Sequence, residues 1–184
     1  MGVTLDGFIA GPDDEVDFFP VTPAFAETLG TELADLQPAF VRAARGGADQ
    51  PLASFDAVVM GRRTYEPALE QGVLDPYSHL RTVVVSSTID VPAHDNVEIV
   101  RTDPVARVRE LKAEDGLGIY LAGGAGLAGV LLDEIDRLIV KKYPVIAGSG
   151  IPMVSHGFQP TAFTLDRART YDNGCVVLEY TRAR

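Results

Sequence analysis

The chain has one cysteine, three histidines and no tryptophan in 184 residues. A lone thiol, Cys175, excludes an internal disulfide and a multi-cysteine metal centre, and it fits a reducing compartment. His79, His94 and His156 are scattered without metal-ligand spacing, so no metal is expected. Basic residues are few. Sixteen Lys and Arg face twenty-six Asp and Glu, for a net charge of −10. A field of that sign repels phosphate backbones and argues against nucleic-acid binding. No apolar run approaches the ~20 residues of a membrane span, and the start lacks a basic stretch followed by an apolar core. What remains is the expectation of one cytoplasmic domain, residues 1–184, large enough to bury roughly 70% of its unfolded surface.

Short apolar runs alternate with segments of helical period, the pattern of an α/β layer fold. Strands are predicted at Gly2–Leu5, Asp56–Met60, Thr82–Ser86, Val97–Val100, Gly118–Ala122 and Arg137–Lys142. Helices are predicted at Pro23–Arg45 (with Pro38 kinking or ending it), Pro104–Glu114 and Ala125–Glu134. The tail differs: Thr161–Thr170 and Cys175–Thr181 alternate apolar and polar residues around Asp172-Asn173-Gly174, which predicts an antiparallel hairpin with positive φ at Asn-Gly. The expected architecture is a mostly parallel central sheet flanked by helices and finished by that hairpin. A first strand of four or five residues is short for a central position, which leaves open a start lying upstream or a strand that has lost part of its length.

Three strand ends carry candidate chemistry. At Asp56-Ala-Val-Val-Met-Gly61-Arg62-Arg63-Thr64 a strand passes through glycine into a helix that begins with two arginines. Cations at a helix N-terminus are unfavourable by up to ~1 kcal/mol, so the pair points to a bound anion or to solvated arginines beyond the cap. At Leu121-Ala-Gly123-Gly124-Ala125-Gly126 glycines let the backbone approach a ligand closely. Gly124 to Gly129 also reads G-x-G-x-x-G, which raises a Rossmann-type NAD dehydrogenase as one alternative. The acidic residue that such a site needs on the next strand is replaced by Lys141-Lys142. The third end, Ser86-Ser87-Thr88, offers hydroxyl donors. In a parallel sheet all three ends lie on one side, where such folds bind ligands. A phosphorylated dinucleotide fits that convergence.

These segments, with Val3-Thr-Leu-Asp6-Gly7-Phe-Ile-Ala10-Gly11 before them and Pro144-Val-Ile-Ala-Gly148-Ser-Gly150-Ile-Pro152 after them, resemble the dihydrofolate reductase-like superfamily. The likeness is to the branch holding the C-terminal reductase domain of the bifunctional riboflavin-biosynthesis protein. The resemblance implies an NADPH-dependent reductase of a small heterocycle, pteridine- or ribosylated pyrimidine-like, and a homodimer. By position, Gly61, Arg62, Arg63 and Thr64 match the adenosine and pyrophosphate segment. Ser86, Ser87 and Thr88, with one of the arginines, match the end that recognises the 2′-phosphate. Gly123, Gly124, Ala125 and Gly126 match the turn holding the pyrophosphate near the nicotinamide, and Ala10 matches the carboxamide position. A non-catalytic NADPH-binding sensor is the alternative within the same fold.

Hydride transfer to a C=N or C=O group also needs a proton. Asp6, following a strand and preceding Gly7, is either that donor or a turn cap. Glu27, Glu32 and Asp35 on the first helix are further candidates. The branch often carries a tryptophan after the first loop; this chain has Phe18 and Phe19 there as a candidate aromatic wall. Cys175 reads as a small buried apolar residue rather than a nucleophile.

Overall fold

The computed structural model describes residues 1–183. Two strands explain its centre. Phe55–Gly61 (β3) and Arg81–Val85 (β4) are near-continuous apolar runs, the sequence of strands buried on both faces. Val97–Val100 (β5) and Gly118–Gly123 (β6) flank them, giving a wholly parallel sheet in the order β5-β4-β3-β6. Successive residues of β3 point to opposite faces, and each face has its own helices. Val59 and Val83 pack with Val108 and Leu111 of Pro104–Ala113 (α4) and with Leu127 of Ala125–Val130 (α5). Val58, Met60 and Val84 pack on the other side against Tyr65 of Arg62–Glu70 (α3).

The remaining strands form a second, mostly antiparallel group. Gly2–Val3 (β1) pairs in parallel with Arg137–Lys142 (β7), which pairs with Val176–Arg182 (β10) and through it with Phe163–Thr170 (β9). A two-stranded ribbon joins Phe8–Ala10 (β2) to Ile151–Pro152 (β8). One face of the larger group is covered by Pro23–Glu32 (α1): Phe25 and Leu29 meet Tyr143, Cys175 and Val177. Among the described residues no helix is long and apolar enough to cross a membrane.

Four expectations change in detail. The long first helix is broken into α1, a 3-10 turn at Ala34–Leu36 and Ala39–Ala44 (α2); Pro38 closes the break. Helix α5 gives way to a 3-10 turn at Leu132–Glu134. The first strand spans two residues, because Thr4 already turns the chain: its N–H donates to Phe8 O at 2.8 Å, and its carbonyl accepts from Gly7 at 3.2 Å. The hairpin is a three-residue connection rather than a two-residue one. Tyr171 N donates to Cys175 O, Gly174 N donates to Tyr171 O, and positive φ (+76°) occurs at Gly174 and not at Asn173. That is a type I turn closed by a left-handed glycine.

Candidate functional site

Strand register fixes where the three chemical ends meet. Met60 is opposite Gly123 and Gly61 opposite Val85, so the ends of β6, β3 and β4 lie side by side on one edge. The two glycine corners are in close contact. A Cβ placed on Gly61 would sit 3.7 Å from both Gly123 O and Gly124 N, and one on Gly124 would lie 3.7 Å from Thr64 Oγ1. Gly123 has φ +125°, and the Gly123–Gly124 peptide is cis.

The helices that start there are open at their N-termini. Helices α1 and α4 are capped by their own side chains, Thr22 Oγ1 accepting from Phe25 N and Asp103 Oδ1 from Ala106 N. Helix α3, starting after Gly61, and α5, starting after Gly124, have no side-chain cap. Two sets of unshared N–H groups therefore face one corner, with Gly126 open beside them. Open helix amides of this kind are where an anion can be held.

Each arginine has a carboxylate partner of its own. Arg62 pairs with Glu66 one turn on, at 3.2 Å, and Arg63 pairs with Asp14 across the chain, at 2.5 Å. Local carboxylates offset the helix-dipole cost, and both guanidinium groups stay at least half exposed. Ser86 is engaged within its own turn. It is buried, and its hydroxyl accepts from Thr88 N (3.3 Å) and Ile89 N (3.0 Å), so it shapes the turn after β4. Ser87 and Thr88 are exposed beyond it. Beside them lies Arg101, whose Nη1 is 3.5 Å from Ser87 O. Sequence reasoning passed over Arg101, although a cation directly after strand Val97–Val100 satisfies the same strand-end logic that selected Ser86–Thr88.

At the other end, Ala10 is buried, and the 148–151 loop lies directly on its carbonyl. A Cβ on Gly150 would come within 2.2 Å of Ala10 O, which explains why glycine stands there. Asp6 holds that loop. Its Oδ1 accepts from Thr4 Oγ1 (2.6 Å) and Ala147 N (3.1 Å), and its Oδ2 from Gly148 N (2.7 Å). The Thr4 hydroxyl first, then the Gly148 and Ala147 N–H groups, hold the carboxyl at about 2. Both carboxylate oxygens are thus engaged, and Asp6 holds the turn and the loop in place.

Two of the three candidate acids expected on the first helix are occupied too. Asp35 is buried in the 3-10 turn, its Oδ1 3.1 Å from Arg42 Nη1 and its Oδ2 accepting from Ala53, Ser54 and Phe55 N–H. Burial alone would raise its pKa, but those hydrogen bonds outweigh burial and leave it below the usual carboxylate range. Glu32 pairs with Arg169, and Glu27 is exposed. Phe19 is part of the α1 core, its ring 4.6 Å from both Phe18 and Tyr143, so it packs rather than forming a free wall.

The Rossmann alternative loses its frame. Strand β7, which follows the glycine run, pairs with β1 and β10 rather than extending the parallel sheet beside β6. Gly129 serves packing: a Cβ there would collide with Ser155 O of the 153–158 loop.

Comparison with known proteins agrees with this fold. The RibD C-terminal domain family model matches residues 1–177. Uncharacterized protein YwjB of Bacillus subtilis (strain 168) is 28% identical over 185 residues, covering 100% of this chain and 95% of the relative. The crystal structure of a putative riboflavin biosynthesis protein from Shewanella sp. PV-4 has a TM-score of 0.74 at 24% identity, over 100% of this chain and 97% of that one. Dihydrofolate reductase from Enterococcus faecalis, complexed with NADP(H) and RAB-propyl, has a TM-score of 0.63 at 14% identity, over 100% and 94%. The family match runs from β1 into β10, so this chain belongs to the RibD C-terminal domain family, on a dihydrofolate reductase-like fold.

Proposed function

We propose that the protein is an NADPH-dependent reductase of a small heterocycle, pteridine- or ribosylated pyrimidine-like. The observation that carries this reading is the meeting of two uncapped helix starts, α3 and α5, at the Gly61 and Gly123–Gly124 corner. The N–H groups of Thr64, Ala125 and Gly126 would take the diphosphate there, and the neighbouring strand ends provide Arg62, Ser87, Thr88 and Arg101 for the additional phosphate. When bound, the cofactor supplies the hydride. The chain's own work is to bind it, to place its nicotinamide end near Ala10, and to hold the 145–148 loop through Asp6. The relatives' names, a riboflavin biosynthesis protein and a dihydrofolate reductase, support the two substrate classes.

The test is thermal unfolding with each cofactor, followed by loss of reduced-nicotinamide absorbance against dihydropterins, dihydrofolate and ribosylated aminopyrimidines. NADPH should raise the Tm well above the shift from NADH, through its extra binding to the folded state. Equal shifts would remove the case for Arg62, Ser87 and Arg101. A second reading, a dinucleotide-binding sensor without turnover, draws support from the engagement of both Asp6 and Asp35 in structural hydrogen bonds. NADPH binding without oxidation by any of these compounds would favour it.

We also infer a homodimer. The face of the antiparallel group opposite α1 carries a groove of about 280 Å³ lined by Leu138, Val140, Leu178, Tyr180 and Phe163, with Lys142 its one charged side chain. In a chain of net charge −10, an apolar face free of carboxylates is where two copies approach with least repulsion.

A further inference from the structure

The pairing of Arg63 places a carboxylate where the proposed site calls for phosphate oxygens. Asp14 Oδ2 lies 2.5 Å from Arg63 Nη2, across 49 residues of sequence. The pair ties the loop after β2 to the start of α3. Arg63 is the second residue of α3, beside the Gly61 and Gly123–Gly124 corner, and Asp14 is in the loop leaving β2 after Ala10. That loop is a tight turn built to present its tip: Gly11 N donates to Glu15 O (2.8 Å), Asp14 N to Gly11 O (3.3 Å), and Asp13 N to Glu15 Oε2 (2.9 Å). Asp14 itself has φ +66°, a left-handed conformation that aspartate tolerates better than most residues. Both side chains are more than half exposed, so the pair is weak enough to open. On the proposed path from Ala10 to the Gly61 corner, a diphosphate would compete with Asp14 for Arg63.

We propose that the Asp14–Arg63 ion pair is a displaceable strap across the diphosphate position, in which the carboxylate holds the guanidinium until a diphosphate takes it. This rests on the dinucleotide site proposed above and adds its gate. The strap acts on the part common to NADPH and NADH, so it lowers affinity for both alike. Arg62, Ser87 and Arg101 discriminate between the two.

The experiment measures Kd for NADPH, NADH and inorganic pyrophosphate by calorimetry on the full chain and on D14N, R63A, D14N/R63A and D17N. Asp17 lies on the same loop, and among the described residues it makes no ion pair. D14N should tighten all three ligands by about two- to five-fold, the scale of an exposed ion pair. The gain should vanish when R63A is already present, and D17N should leave binding unchanged. An equal gain in D17N, a gain that survives R63A, or unchanged or weaker binding in D14N overturns the strap and leaves the site intact. Failure of the unmutated protein to bind any of the three overturns site and strap together.

Discussion

Asp35 distinguishes a structural acid from a catalytic one, and the hydrogen bonds around it set the size of the effect. Replacing it with Asn keeps the shape of the side chain. The amide oxygen retains the N–H groups of Ala53, Ser54 and Phe55, but its NH2 then faces Arg42, a donor against a donor. Arg42 is only 4% exposed, and its Nε already has no partner, so its charge is left buried with a single carbonyl, Gln50 O. Breaking a buried pair in this way costs about 3–5 kcal/mol. Set against a typical total of ~5–15 kcal/mol, that is about a fifth or more of the stability. For a chain of this length it lowers Tm by roughly 6–20 °C. The assay is urea unfolding monitored by circular dichroism, with NADPH affinity measured at a temperature where the variant stays folded. D35N should lose stability and keep its cofactor affinity. D35N/R42M, which removes both partners of the ion pair, should recover much of the loss. A stability change below about 1 kcal/mol in D35N, combined with loss of NADPH oxidation, would refute the structural assignment and return Asp35 to the list of proton donors.

Further outcomes follow from the same contacts. The Asp6 carboxyl is depressed in the folded state to about 2, so its contribution to stability is complete above the unfolded value near 4 and is lost as pH falls from there toward 2. D6N should therefore flatten the acid limb of the stability–pH curve, and any NADPH oxidation should show no limb belonging to Asp6 between pH 5 and 8. Replacing Arg101 with Ala should weaken NADPH by about ten-fold and leave NADH unchanged, read by fluorescence titration; equal losses would place Arg101 away from the extra phosphate. L178D, which puts a charge into the apolar groove on β10, should convert a dimer to a monomer in light scattering; an unchanged mass would move the contact elsewhere. Burial raises the Cys175 thiol to about 11, so a disulfide reagent at pH 8 should label it only at the rate of unfolding; immediate labelling of the folded protein would contradict its burial.

Much of the frame was legible in the amino-acid sequence, because local chemistry dictated it. Apolar runs such as Ala57–Met60 and Thr82–Val85 admit little but a strand buried on both faces. Pro104 after Asp103 marks a helix start, and Gly174 marks the hairpin turn. The strand-to-helix glycines at 61 and 123–124 marked two helix starts left without a side-chain cap, because unpaired helix N–H groups follow from the junction itself.

Only the tertiary structure decided which polar side chains are free to act there. Asp6 meets the N–H groups of Ala147 and Gly148, Asp35 meets those of Ala53 to Phe55, and Arg63 meets Asp14. Each contact joins segments far apart in the chain, so no local pattern encodes it. The same holds for Arg101 beside Ser87, and for the pairing of β7 with β10 that removes the Rossmann frame. Periodicity and turn chemistry report a residue's own backbone, whereas protonation state and availability depend on the partners that folding brings alongside.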